Sequence, residues 1–523
     1  MELIKRELHL DKIKNQITTQ ITIDDDFNIP DSLGDVYKIL FDHACIQLDE
    51  VKVSDHHIAI RGNLVFSVLY QAEKHIRPLQ SVEGKIPFDE FIHMNGAQAT
   101  DDVKVFNIIE NLSVTTINSR KLSIRSVIRF LLFTEQIEDT EIVIDIKSEE
   151  LLESQRKETS ITEQIISKKD IYRIKDTLQL PANLENIDHL LWYHVEAGTI
   201  QYKADTQRIQ ISGNLQVFLI YDTQNDDSLI NYYETLLPFS GEIDAQQCAE
   251  HTLLDMEYEI GSLLIEVKPD RDGEDREIAI DLVFNLDIKG YEEQNIELIT
   301  DVYGVTKDVT STLIPVNYKK FLFRNQGKCK IEDQIAVKNK GCQIEKVCYC
   351  FGMPIVEHTK IKDEKILIEG VVELQVLYQT DQKQFAYDSD RSVIPFEFPL
   401  NIPGIHEGCI YSIQSNIENL SAQVNASGDI EITGMLNLQS MVFESLVEQT
   451  ISTVEVDDLD MTKMEEMPGM VGYIVKDGET LWSIGKKYCV GINQIKELSE
   501  LKSNDVKAGD RLLIMKTIGQ NIG

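Results

Sequence analysis

Residues 58 to 70 read IAIRGNLVFSVLY, and two further stretches align with them without gaps, IQISGNLQVFLIY from Ile209 and ILIEGVVELQVLY from Ile366. In each the glycine precedes a tyrosine by eight positions: Gly62 and Tyr70, Gly213 and Tyr221, Gly370 and Tyr378. A Pro-Phe pair then follows at one spacing, as Pro87-Phe88, Pro238-Phe239 and Pro395-Phe396. Two intervals held constant three times mark an internal repeat. In the first copy every second residue is apolar or glycine, through Ile58, Ile60, Gly62, Leu64, Phe66, Val68 and Tyr70. Period two is the signature of a β-strand with one buried face. The interior glycine has nothing to pack, and predicts a bend or bulge that wraps a long strand around its core. A second alternating run closes each copy: Leu122, Ile124, Ile128, Phe130; Ile278, Ile280, Phe284, Leu286; Ile430, Ile432, Leu436, Leu438.

Outward from these strands the chain divides into three β-rich domains of about 150 residues, the usual domain size. The expected boundaries are 1–150, 151–310 and 311–453, then an acidic linker over 454–470 and a distinct terminal module over 471–516. The linker, VEVDDLDMTKMEEMPG from Val454, has few core-forming residues and ends in Pro-Gly. The whole chain of 523 residues carries a net charge of -37. That charge repels phosphate backbones and anionic lipid, which argues against nucleic acid as a partner. No apolar run reaches the roughly 18 residues of a membrane helix, so no membrane insertion is expected. The first residues, MELIKRELHLDKIKNQ, have no apolar export segment, and the expected compartment is the cytoplasm. The eight cysteines are scattered, as free thiols in a reducing compartment are.

In the terminal module, Tyr473 and Val475 alternate as a short strand, Asp477-Gly478 is a turn, and Thr480 is a helix N-cap. Leu481, Ile484 and Tyr488 fall at helical spacing, as do Ile492, Ile495 and Leu498, and Leu512 and Ile514 alternate as a closing strand. The order is β-α-α-β. Residues 471–516 hold eight basic and six acidic side chains, a net of +2 that leaves -39 on the remainder.

Several constellations tempt a chemical reading. Cys342, Cys348 and Cys350, with Cys329 upstream, could suggest zinc. However, the repeat alignment sets Cys348 where Leu40 and Leu191 stand, and Cys350 where Asp42 and Tyr193 stand. Cys348 therefore reads as a small buried apolar group, and no metal site is expected there. The segment DRDGED at 270–275 has its glycine two positions too early for an EF-hand and reads as an acidic turn. His56-His57 has no counterpart in the other copies. No P-loop, nucleophile elbow, zinc-protease or dinucleotide motif is present, so neither catalysis nor a cofactor is expected.

The Gly-to-Tyr strand with its trailing Pro-Phe resembles the SPOCS domain, a module of spore-coat and related sporulation proteins of Firmicutes, especially clostridia. The terminal module resembles the LysM domain through Tyr473, Val475, Lys476, Gly478, Thr480, Leu481, Trp482, Ile484, Tyr488, Leu498, Leu501, Gly509, Leu512 and Ile514. The fold class is thus mainly β: three tandem SPOCS-like domains plus a small α+β LysM domain. The LysM resemblance implies a groove for N-acetylglucosamine glycans, or for a protein, formed by Asp477, Gly478, Glu479, Thr480, Trp482, Ser499, Leu501, Lys502 and Asn504. Trp482 reads first as core packing and second as ligand stacking. Ser499 replaces the usual Asn beside the groove, and Cys489 replaces the usual Gly after the first helix. A left-handed residue there costs a non-glycine about 1–2 kcal/mol.

The architecture resembles that of clostridial spore-coat morphogenetic proteins. That resemblance implies a non-enzymatic scaffold made in the mother-cell cytoplasm and placed at the forespore surface in the coat. It also implies partners: the coat basement-layer ATPase SpoIVA, contacted through LysM, and other coat proteins. Repeats on short tethers would add multivalency. The alternative is a peptidoglycan-binding wall or cortex protein.

Overall fold

The computed structural model describes residues 1–73, 77–223, 230–336, 343–382, 386–458 and 468–515. Each repeat is a sandwich of two antiparallel sheets. The first contains β1 (Glu2–Asn28), β2 (Asp35–Ser54), β3 (His57–Glu73), β4 (Leu79–His93), β5 (Asp102–Asn118) and β6 (Lys121–Lys147), ordered β1-β6-β5 and β2-β3-β4. The second contains β7 (Leu152–Gln179), β8 (His189–Ala197), β9 (Gln201–Asp205), β10 (Arg208–Asp222), β11 (Asn231–Asp244), β12 (Leu253–Pro269) and β13 (Asp275–Gly304). Its sheets are β12-β13-β7 and β11-β10-β8, with β9 continuing the β8 edge. The third repeats the first with β14 (Lys307–Ile335), β15 (Ile344–Lys362), β16 (Lys365–Thr380), β17 (Tyr387–Asn401), β18 (Cys409–Val424) and β19 (Ile430–Asp458), ordered β14-β19-β18 and β15-β16-β17. The alternating residues read from sequence are the cores: Ile58, Ile60, Leu64, Val68 and Tyr70 are each 0% exposed.

The two repeat signatures meet across one strand pair. Gly62 pairs with Phe88, Gly213 with Phe239 and Gly370 with Phe396. A Cβ on Gly370 would lie 2.7 Å from Phe396 Cζ and 2.2 Å from the Ile355 carbonyl oxygen, and one on Gly62 2.9 Å from Phe88 Cζ. The glycine is a seat for the aromatic ring opposite it. The irregularity lies not in the glycine's strand but in its other neighbour. The register of β2 slips between Leu48 and Glu50, opposite Gly62, and that of β15 between Val356 and His358, opposite Gly370. In the second repeat that edge is broken between β8 and β9.

The first and last strands of each repeat run on beyond the sandwich as a two-stranded arm. A bulge at equivalent places, the skipped Lys14, Ile165 and Leu322, marks the bend into each arm. The arms bundle around a core of Leu8, Leu10, Ile142, Ile161, Ile296, Leu298, Val316 and Tyr318. Chain crossovers between repeats are short, at 148–151 and 305–306, and lie at the arm tips. The repeats are therefore not tethered beads, and multivalency through flexible linkers does not describe them. Val454–Asp458, read from sequence as linker, completes β19 and pairs with β14; residues 459–467 of the expected linker lie outside the described residues.

The sandwiches meet around a pseudo-threefold axis. Phe41, Trp192 and Tyr349 occupy one position in the three copies, and their rings pack at 4.9 to 6.2 Å. One layer on, His43, His194 and Phe351 do the same at 4.6 to 5.6 Å. Leu40, Leu191 and Cys348 join this axial cluster, so Cys348 is buried as expected, between repeats rather than within one. The ring closes head to tail through one equivalent pair of positions: Glu83 accepts from Tyr193, Glu234 lies beside Cys350, and Arg391 pairs with Asp42. Cys350 and Cys329 are free and half-buried, while Cys342 lies outside the described residues. Asp270 caps its acidic turn by accepting from the amides of Asp272 and Glu274.

The terminal module is β20 (Met470–Ile474), α1 (Leu481–Tyr488), α2 (Ile492–Leu498) and β21 (Arg511–Met515), with β20 paired to β21. Val475, Leu481, Ile484, Val490, Ile495, Leu512 and Ile514 form its own core, each at most 2% exposed.

Candidate functional site

The expected groove residues fall into three groups. Asp477, Gly478, Thr480, Lys502 and Asn504 are exposed on two loops of the terminal module. Gly478 adopts a φ of 79°, which the Asp-Gly turn requires. Thr480 caps α1: its hydroxyl accepts from the Ser483 amide at 3.1 Å, and Ser483 Oγ accepts from the Thr480 amide at 3.0 Å. These contacts fix the entry loop while leaving its outer face open.

Three others are occupied inside the module. Glu479 accepts from the Tyr473 hydroxyl at 2.7 Å and from the Lys476 amide at 3.0 Å. The Lys476 amide and then the tyrosine hold its carboxyl below the usual range, and Glu479 in turn pushes Tyr473 up to about 12. Ser499 Oγ accepts from the Leu513 amide at 2.9 Å, tying the end of α2 to β21. Leu501 packs on the module core.

Trp482 is placed elsewhere. It neither enters the module core nor faces the groove loops. It packs edge-on against Tyr303 with ring centroids 4.9 Å apart, and its Nε1 donates to Asp301 Oδ2 at 2.8 Å. Lys486, one helical turn on, pairs with the same carboxylate at 2.7 Å. The Tyr303 hydroxyl donates to the Val490 carbonyl at 2.9 Å, and Glu153 accepts from the Ile492 amide at 3.1 Å. Burial raises the Tyr303 hydroxyl pKa well above its ordinary value, so it is a lasting donor. The module is thus docked by α1 and the α1–α2 turn onto the tip of the second repeat's arm. The physical reason for the difference is that an amphipathic ring on a short helix can cover a neighbouring domain as readily as its own core.

The dock has one signal in the sequence. Gly485 lies inside α1, where glycine costs about 1 kcal/mol against alanine. A Cβ there would stand 2.5 Å from the Tyr303 hydroxyl oxygen. An interior helical glycine marks a close approach. Cys489 takes φ 53° and ψ 46° at the end of α1, the left-handed conformation expected of the usual glycine.

The loops present a carboxylate, a hydroxyl, an ammonium and an amide at the surface, while the aromatic face is spent within the chain. Among the described residues no helix is long and apolar enough to cross a membrane.

A ring of β-sandwiches bearing a docked βααβ module is the form of a multidomain binding protein. The family described as "SipL, SPOCS domain" matches residues 35–117 and 343–425, and the LysM domain family matches 473–514. The chain therefore has the architecture of SipL, SPOCS domains followed by a terminal LysM domain. The SPOCS matches cover β2–β5 and β15–β18; the second repeat has the same topology without a match. SipL-type and LysM domains are non-catalytic binding domains. No curated protein matches the chain. No solved structure matches it either.

Proposed function

We propose that this protein is a non-enzymatic assembly adaptor of the spore coat, made in the mother-cell cytoplasm and acting at the forespore surface. Its LysM loops would dock a protein partner, the SpoIVA-type coat ATPase, with other coat proteins recruited by the β-body. The observation that carries this reading is the joining of SPOCS domains to a LysM module whose Asp477, Gly478, Thr480, Lys502 and Asn504 remain exposed after docking. The charge contrast supports a protein partner: the module is +2 against -39 for the rest, so it is the part of the chain least repelled by an acidic protein.

A second reading is favoured by the LysM match itself, since that module belongs to a peptidoglycan-binding type. The two readings separate in one pair of assays. Full-length protein carrying Asp477→Ala and Thr480→Ala should lose retention of the ATPase from sporulating-cell lysate, while the parent should not sediment with insoluble peptidoglycan. Strong co-sedimentation that the same substitutions abolish would overturn the adaptor reading in favour of glycan binding. A fluorescent fusion spread evenly through growing cells would count against the coat assignment altogether.

A further inference from the structure

Unbroken runs of residues line a cavity of about 1820 Å³ between the three sandwiches. They are 43–51 of β2 and 103–109 of β5, 193–197 of β8 and 257–263 of β12, and 353–356 of β15 and 411–416 of β18. Each of these six is an outermost strand of its sheet. A sheet face shows every second residue, whereas consecutive residues mark a strand's edge. The sandwiches therefore turn their open sides to one another, and strand edges wall the cavity.

One of these edges is prepared for a further strand. Met256 on β12 turns both its peptide groups away from β13. Its N–H donates to the Tyr202 hydroxyl at 3.4 Å, and its carbonyl accepts from Gln414 Nε2 at 3.0 Å. At the β12 bulge the Gly261 carbonyl accepts from Gln47 Nε2 at 3.1 Å, and Lys85 fixes that carboxamide by donating to its Oε1 at 3.0 Å. Gln47 and Gln414 belong to the first and third repeats, so an amide from each neighbour stands where a strand's peptide group would. Alternation along an antiparallel pair gives Tyr258 and Ile260 the outward orientation of Met256. No described residue bonds their outward N–H and C=O groups, and Ile260 is 37% exposed. In the first and third sandwiches β2 and β15 run unbroken and pack beside β5 and β18. In the second, β8 stops at Ala197 and β9 begins at Gln201, which leaves β12 open.

We propose that the free edge of β12 between Met256 and Gly261 takes, as an added strand, an extended segment of a partner protein that alternates apolar and basic residues. The stretch spans about 17 Å at strand spacing. Strand addition is the recognition mode that such an edge supports, through main-chain hydrogen bonds. The cavity also exceeds the roughly 1,000 Å³ at the upper end of small-molecule pockets. On one face the segment would cover Tyr258 and Ile260, and on the other it would meet Glu259. Asp49 and Glu259 are exposed in the lining and carry amide partners rather than cations, Asn63 at 2.7 Å and Asn285 at 3.1 Å. The lining holds twice as many acidic as basic side chains, which selects against an acidic segment. This site is separate from the LysM loops and stands or falls without them.

The probe is a fluorescein-labelled peptide of alternating valine and lysine, titrated against the full-length chain by fluorescence anisotropy. Saturable binding of one peptide per chain is expected, with slowed amide exchange at Tyr258 and Ile260. A peptide of alternating valine and glutamate should bind about tenfold more weakly or worse. Ile260→Pro removes one outward N–H, leaves the pairing with β13 intact, and should weaken binding about tenfold with an unchanged circular dichroism spectrum. N-methylating the peptide backbone removes the same hydrogen bonds with the protein untouched, and should abolish binding. No binding of the valine–lysine peptide, or equal binding of its N-methylated form, overturns the proposal. So does protection at Ile109 of the first repeat in place of Ile260. Equal affinity for a block peptide of the same composition would also overturn it, as adsorption to a chain of net charge -37.

Discussion

Replacing Gly485 by alanine should stabilise the terminal module alone and yet release it from the body. In the isolated module the change removes an interior helical glycine and adds about 1 kcal/mol of stability. The new Cβ would stand 3.0 Å from the Val490 carbonyl oxygen with or without the body, which trims that gain, and only in the full chain would it fall 2.5 Å from the Tyr303 hydroxyl oxygen. That hydroxyl must move, losing its 2.9 Å bond to Val490. A net hydrogen bond plus a buried group left unsatisfied is worth about 2–3 kcal/mol, a shift of roughly 30- to 150-fold in the docked-to-free ratio. The chain has two tryptophans, Trp192 and Trp482. Emission in a Trp192→Phe background therefore reports on Trp482 alone, and should move to the red as it leaves Tyr303 for water. Amide exchange over 481–492 should accelerate in parallel in the full chain. Unchanged emission and exchange would show that the dock does not form in solution. A less stable isolated module would refute the helix argument instead.

Three further outcomes follow from the same geometry. Gly370→Ala sets a Cβ 2.2 Å from a backbone oxygen and 2.7 Å from Phe396, and should destabilise the body by about 3 kcal/mol in urea unfolding; an unchanged midpoint would refute the close approach. Cys489→Gly relieves a left-handed residue and should stabilise the LysM module by about 1 kcal/mol in thermal unfolding. Burial lowers His43 from 6.5 to about 4, so below pH 6.5 the unfolded chain binds the extra proton, and stability falls until about pH 4. The loss for that one group is about 3 kcal/mol. Glu196, raised by burial to about 8, acts oppositely and regains stability as pH falls from 8 towards 4.5. Urea unfolding at pH 7 and 5 should show His43→Phe gaining at pH 5 relative to the parent; equal responses would exclude a buried neutral imidazole.

The sandwich strands were legible because burial on one face writes itself as period two, and the repeat made that pattern unmistakable three times over. Gly62 and Phe88 were each visible, but their pairing was not, because only the register of β3 against β4 brings them opposite. The ring was harder. Its axial positions hold Phe41, Trp192 and Tyr349, then His43, His194 and Phe351, and these share place rather than chemistry. A pattern search weighted by residue type passes over them. The dock was obscured for a different reason: the family pattern explains Trp482 within the module, and so drew attention from the one feature, Gly485, that required an outside neighbour.

Why the module chooses one arm of three is settled by how the copies differ at a shared bulge. The arms slip register at equivalent places, skipping Ile144, Thr300 and Ser452. One and three residues beyond the skip stand Asp145 and Lys147, Asp301 and Tyr303, and Thr453 and Glu455. Only the second arm pairs an acceptor for Trp482 with a ring and hydroxyl for Val490. The first arm has the aspartate, but Arg156 already holds Asp145 at 2.6 Å, and Lys147 would oppose Lys486. The third has no carboxylate for Trp482, and Glu455 would leave Val490 without a donor. A body with pseudo-threefold symmetry thus carries a single seat. The head-to-tail contacts of its sandwiches are all consumed in closing the ring, so growth by adding further copies through that interface has no open end. The outer faces of the sheets and the exposed LysM loops stay open to other molecules, and those loops are carried at a position fixed by Asp301 and Tyr303.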